Sequence, residues 1–356
     1  MCLMKTHPNG KSPANGTMAE IVREAVEECG RGLPTSPLKV EPQFAPEGAL
    51  KPDEKEQVIA LRKSLDAKLG DLDAAVRAEA EAHMDDFTLA RFSIARDGKQ
   101  AEAQDMFLTT MRFRADKQVN LLRAELHPNA THTAGTSSHL RHAAVRNHFH
   151  AGWGGCARDG SPFFIENMGK LDVASIDRDP YLFELMMDAY ACTYLEMAFS
   201  SVRVASARSG QMQRATTIVD ASGASLSMLS HLRVIKSVAK VGTSYYPEIM
   251  KRVLIVNAPW VAAMAWKALA PFLPEQTRKK VSIYSKNFLP QILEEIDASE
   301  LPAYLGGKRE TPNGLPRTDK VPSTLGDELR AAASMTCSTM AQGEATGGAA
   351  EPVALS

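Results

Sequence analysis

Six of the nine histidines fall between Leu126 and Trp153: His127, His132, His139, His142, His148 and His150. Clustered imidazoles are first of all candidate metal ligands. His139 and His142 stand three apart, but no H-E-x-x-H or comparable partner motif surrounds them. The segment is therefore read as a polar connector, and no metal site is expected. Nucleophilic chemistry fares no better. No G-x-S-x-G turn is present, and neither Ser222-Gly223 nor Gly242-Thr243-Ser244 completes one. Gly-Lys pairs end at Lys99, Lys170 and Lys308 without the spacing of a phosphate-binding loop. Gly152-Trp153-Gly154-Gly155-Cys156-Ala157 matches G-x-G-x-x-A by letter. It follows a histidine-rich polar stretch rather than a strand, so it is read as a flexible turn and not as a dinucleotide site. No enzyme is expected.

Composition narrows the classes further. The 356 residues suffice for two to three domains. With 41 basic and 42 acidic residues there is no global basic field, so nucleic acid is not an expected partner and any anion site must be local. The five cysteines (Cys2, Cys29, Cys156, Cys192, Cys337) form no C-x-x-C pair, which fits a reducing compartment. The first sixteen residues, MCLMKTHPNGKSPANG, lack the apolar core of a signal peptide and the glycine needed for myristoylation. Cys2 is the one acylation candidate there. Asn129-Ala130-Thr131 fits the glycosylation pattern, but without a signal peptide it should stay unmodified. A cytoplasmic protein is expected.

The elements that must position any site follow from periodicity. Residues 1–52 are rich in Pro, Gly and Ser, with one amphipathic patch from Met18 to Cys29, and are read as a mostly disordered tail. From Asp53 the spacing of Val58, Leu61, Leu65 and Leu69 is helical, and helices continue to about residue 125. The polar connector spans 126–152. A third region, 153–308, alternates strands with helices: Phe163–Ile165 as a strand, Tyr181–Val204 as a long helix, Thr216–Val219 as a strand, Ser225–Val241 as a helix. That alternation argues for an α/β sheet with right-handed crossovers. Residues 309–356, poor in large apolar side chains, read as a disordered tail.

One stretch organises that third region, Ser244–Ser285. Tyr246-Pro247 favours an extended turn, and Val253-Leu254-Ile255-Val256 suits a strand covered on both faces. Pro259 then stands where a helix begins. The segment from Trp260 to Phe272 is apolar almost all round, with Lys267 its only charge. It is too short to span a bilayer, which needs roughly 20 residues. It must therefore be buried or face lipid.

The set "YYPE…VLIVNAP…FLPEQTRKKV…LPAYLGGK" resembles the CRAL-TRIO lipid-binding family, most closely its yeast-type phosphatidylinositol/phosphatidylcholine transfer branch. "DDFTLARFSIARDGKQAEAQDMF" is similar to that family's helical N-terminal subdomain, and "TTIVDASGASLS" to its strand and turn. The resemblance runs from about Lys55 to Lys308. It implies an α/β fold with a helical subdomain on a mixed, mainly parallel sheet, and an apolar lipid cavity closed by a gate helix. By the same resemblance Arg96, Glu248, Thr277 and Lys280 match positions that hold an inositol phosphate headgroup, and Trp260, Met264, Trp266 and Phe272 belong to the gate and cavity. The choline side matches poorly, since Phe164 and Ala215 stand where a tyrosine and a serine are usual. The implied ligand is a phospholipid, phosphatidylinositol, with no other cofactor. The implied activity is exchange of that lipid between membranes, or its presentation to lipid kinases, by a monomer that touches membranes transiently. The alternatives are a lipid-sensing regulatory or scaffold module, and a carrier of a sterol, tocopherol-like or retinoid-like molecule.

Overall fold

A computed structural model describes residues 16–31, 33–127, 130–148 and 150–310. Cys2, the Asn129 of the glycosylation pattern and residues 311–356 of the expected C-terminal tail lie outside them. Helix α1 (Met18–Arg31) opens the described chain. Its start is a capping box: the Glu20 carboxylate accepts from the Thr17 backbone N–H at 2.7 Å, and the Thr17 hydroxyl accepts from the Glu20 N–H at 3.3 Å. Where composition suggests disorder up to residue 52, this helix is docked. Val22, Ala25, Val26 and Cys29 recur at helical spacing and are buried, with Leu38 and Val40 of the following segment. The amphipathic patch finds an apolar partner far along the chain, at Val204, Ala205 and Ala207.

The helical region comprises α2 (Pro52–Asp66), α3 (Ala74–Ala82), α4 (Asp86–Ile94), α5 (Gln100–Asp116) and α6 (Val119–Leu126). Its core gathers Leu61, Leu65, Phe87, Phe92, Phe107 and Met111. The expected polar connector contains a further helix, α7 (Ser137–His148), whose Ala144 and Val145 are buried. Two imidazoles of the connector hydrogen-bond to backbone: His142 Nε2 lies 2.9 Å from the His127 carbonyl and His132 Nε2 2.8 Å from that of Glu125. Among the described residues no group of three or more His, Cys, Asp or Glu is arranged to hold a metal.

Five strands follow: β1 (Ala151–Cys156), β2 (Pro162–Glu166), β3 (Ala215–Asp220), β4 (Met250–Val256) and β5 (Val281–Ile283). They lie in that order in one sheet, β1 antiparallel to β2 and the rest parallel. This is the mixed, mainly parallel sheet expected. The glycine run read as a flexible turn is instead strand β1. Its glycines serve packing: a Cβ at Gly154 would meet the Phe163 ring at 2.3 Å, and a register shift between Trp153 and Gly155 accommodates the extra residue.

Helices α8 (Val173–Arg178), α9 (Pro180–Ala189) and α10 (Glu196–Ser209) lead from β2 to β3. The last two are joined by a π-helical turn at Tyr190–Leu195, so the expected long helix carries one widened turn. α11 (Leu232–Tyr245), α12 (Trp260–Leu269), α13 (Glu275–Lys279) and α14 (Leu289–Glu295) complete the chain order. Two buried arginines lock the helical region to α10. Arg203 donates to Asp85 at 2.8 Å and to the Leu38 and Ala82 carbonyls. Arg114 pairs with Glu79 at 2.7 Å and with both Glu196 oxygens.

Strand alternation divides the sheet into two unlike faces. Phe163, Ile165, Ile218, Leu254 and Val256 pack against Ile292, Ile296 and Leu301 in a closed core. The intervening residues line a cavity.

Candidate functional site

That cavity has a volume of about 590 Å³. Its floor is Phe164, Ala215, Thr217, Val219, Val253 and Ile255, the residues that alternation turns away from the closed core. The π-helical turn contributes Tyr190 and Tyr194, α11 contributes Val238 and Gly242, and α12 contributes Val261, Ala265 and Trp266. Most of this wall is apolar, and a cavity of this size with few polar groups suits an apolar ligand with one directed end.

All four residues assigned by resemblance line this one cavity. Pro247 and the left-handed backbone of Glu248 (φ 53°) turn the chain sharply into β4. The turn hands the Glu248 carbonyl to the buried Arg91 guanidinium. It points the carboxylate at two cations, Arg214 Nη2 at 2.9 Å and Lys280 Nζ at 3.3 Å. Lys280 caps α13, its N–H donating to the carbonyl of Thr277 at 3.1 Å, which holds these two residues one turn apart just before β5. Arg96 lies in the turn after α4 and donates to the neighbouring Ala95 carbonyl at 3.0 Å. Arg214 was not singled out by sequence. Its one local signal is its place at the entrance to β3, the strand beside β4.

The four gate residues divide. Trp266 lines the cavity. Trp260, Met264 and Phe272 face outward, exposed by 65%, 46% and 66%. Phe272 has the Lys236 ammonium 4.2 Å from its ring centre. Helix α12 thus covers the cavity with one side and turns apolar side chains outward with the other.

At the other end of the floor sits Glu166, buried on the cavity face of β2. Burial pushes its carboxyl up to about 7, against the pull of a hydrogen bond with Tyr194. Tyr190 and Tyr194 stack at 5.3 Å, Phe164 meets Tyr194 edge-on, and the Tyr194 hydroxyl lies 3.3 Å from Thr217 Oγ1. Sequence reading missed Glu166, whose charge was hidden at the end of an apolar strand. Among the described residues no helix is long and apolar enough to cross a membrane.

Comparison with known proteins agrees with this architecture. Residues 146–307 match the CRAL/TRIO domain, a span that takes in all five strands. The chain is 28% identical over 236 residues to the phosphatidylinositol/phosphatidylcholine transfer protein SFH11 of Arabidopsis thaliana, covering 64% of this chain and 58% of that protein. It is 28% identical over 241 residues to the Sec14 cytosolic factor of Schizosaccharomyces pombe, covering 67% and 80%. The SEC14 cytosolic factor of Candida glabrata is 25% identical over 295 residues, covering 82% and 87%. Residues 146–307 are therefore a CRAL/TRIO domain.

Proposed function

We propose that this protein holds one phosphatidylinositol in the cavity and exchanges it between membranes, or presents it to lipid kinases. The observation that carries the reading is that Arg96, Glu248, Thr277 and Lys280 line one largely apolar cavity. A phosphodiester brings one negative charge, which an ammonium offsets and a hydroxyl can hydrogen-bond. A carboxylate only accepts, so Glu248 suits the hydroxyls of an inositol ring. Arg214 makes the division of labour workable. Glu248 has two cations within reach, so Lys280 can turn to the phosphate while Arg214 keeps the carboxylate paired.

Acyl chains in the cavity are sheltered by about 0.8 kcal/mol per methylene. Release into water would forfeit that for both chains, so the lipid must pass directly between the cavity and a bilayer. Helix α12 is the element suited to open, because Pro259 and Pro271 break the hydrogen bonding to its neighbours. Its outward Trp260 and Met264 would meet the bilayer, and the adjacent Arg278, Lys279 and Lys280 would favour an anionic surface. The test is to extract and identify by mass spectrometry the lipids that accompany the purified protein. Phosphatidylinositol is expected in wild type and its loss in Lys280→Ala. A wild-type protein that carries only a sterol or another neutral hydrophobe overturns the reading.

A further inference from the structure

Beside Arg96 stands a charge of the opposite sign to the one a phosphate calls for. Asp97 lines the same cavity and is itself exposed, so it stands where the cavity opens to solvent. Its place follows from the turn that ends α4. The Asp97 and Gly98 N–H groups donate to the Ile94 and Ser93 carbonyls at 3.1 and 2.9 Å. Both residues take the left-handed backbone, with φ of 51° and 74°. Asp adopts that conformation more readily than most side chains. Gly98 is fixed against α2, since a Cβ there would meet the Gln57 side chain at 2.4 Å. Earlier on α4, Arg91 binds the Glu248 carbonyl, which brings the end of α4 beside the Glu248 turn.

Three cations meet two carboxylates at this corner. Arg96 and Lys280 line the cavity, and Arg214 stands behind Glu248 with Nη2 2.9 Å from its carboxylate. The carboxylates are Glu248 and Asp97. Glu275 lines the cavity as well, but Lys279 matches it at 2.8 Å. Glu248 has both Arg214 and Lys280 within reach, whereas among the described residues Asp97 forms no ion pair. One positive charge is left over, which equals the charge of a single phosphodiester. Without Asp97 the corner would have charge to spare for a second anionic group.

We propose that Asp97 is a specificity-determining residue of this site, which sets how much negative charge the headgroup can carry. It admits the monoanionic, hydroxyl-rich headgroup of phosphatidylinositol and turns away inositol rings that bear a phosphate. The inference rests on the proposed function and adds a selectivity that Thr277 and Lys280 do not supply. A hydroxyl donates to a carboxylate, so an unphosphorylated ring meets a second acceptor-only partner besides Glu248. A phosphate monoester near pH 7 carries about −1.5 to −2 charges and its oxygens only accept strongly. Close to Asp97 it meets like charge without a cation between them. At an effective dielectric of about 20, like charges a few ångströms apart repel strongly enough for about tenfold or more in binding.

The test equilibrates full-length protein with phosphatidylcholine vesicles that contain equal amounts of phosphatidylinositol and phosphatidylinositol 4-phosphate. The protein is re-isolated and the retained lipids are counted by mass spectrometry. Wild type should retain phosphatidylinositol over the phosphorylated lipid by about tenfold or more. Asp97→Asn keeps the side-chain shape and suits the left-handed turn, but removes the charge. It should narrow the ratio about tenfold by gaining the phosphorylated lipid, with the urea midpoint unchanged, and Asp97→Glu should restore the wild-type ratio. A purely structural role for Asp97 would move the midpoint and not the ratio. Equal retention of the two inositol lipids by wild type overturns the inference, as does a wild-type ratio in Asp97→Asn. Wild type that retains phosphatidylcholine and neither inositol lipid refutes the proposed function itself, and the inference falls with it.

Discussion

Replacing Glu166 by glutamine keeps the shape of the side chain and removes its ionisation, so the variant isolates what the buried charge does to the fold. In an unfolded chain the carboxyl titrates near 4.5, and in the folded protein burial raises it to about 7. The folded state therefore binds this proton more tightly than the unfolded state. Stability from this group is fully present below pH 4.5 and is lost as pH rises toward 7. The interval is about 2.5 pH units, and at 1.36 kcal/mol per unit the loss is about 3 kcal/mol. Other carboxylates titrate alike in both proteins and cancel in the difference. Urea unfolding of wild type and Glu166→Gln at a series of pH values between 4.5 and 8 measures that difference directly. Relative to the variant, wild type should lose about 3 kcal/mol across the range. Parallel pH curves for the two proteins would refute the reasoning, because they would mean that the carboxylate is solvated or already paired.

Arg114→Met strands Glu79 and Glu196 without their cation and should lower stability by about 3–5 kcal/mol in urea unfolding; an unchanged midpoint would show that the pair does not lock α5 to α10. Trp260→Ala, at an exposed position, should change stability by no more than about 0.5 kcal/mol yet slow vesicle-to-vesicle transfer, and bilayer-embedded quenchers should dim wild-type tryptophan fluorescence more than that of the variant. Equal quenching of the two would place the membrane contact elsewhere. Elemental analysis should find no stoichiometric zinc, whereas zinc lost on mutating His139 and His142 would establish a metal site in the connector.

Much of the sheet was legible because its signals are local. Val253 to Val256 is an uninterrupted apolar run, and the period-two pattern of β3 follows from covering one face and lining a cavity with the other. Strand β1 was not legible, since Gly152–Gly155 has no strand propensity of its own; the ring of Phe163 over Gly154 makes it a strand. Helix α1 showed as an amphipathic patch, but the apolar surface that orders it, Val204, Ala205 and Ala207, lies far along the chain on α10, where Arg208 also meets Glu28 across 180 residues. The site divides in the same way. Arg96, Glu248, Thr277 and Lys280 carry no shared local pattern, and only resemblance singled them out. Arg214 and Glu166 acquire their roles from cross-strand neighbours and from a π-helical turn, none of which periodicity displays.

The proposed function sets an inositol phosphate headgroup against Lys280 and Glu248, with its acyl chains in the cavity. It is tested most directly by the transfer of labelled phosphatidylinositol from donor to acceptor vesicles, with wild type, Lys280→Ala and Glu248→Lys compared at equal concentration. Wild type should accelerate transfer, and both variants should fall to the protein-free background while keeping the wild-type circular dichroism spectrum. Transfer at the wild-type rate in both variants, or none by wild type, would contradict the account.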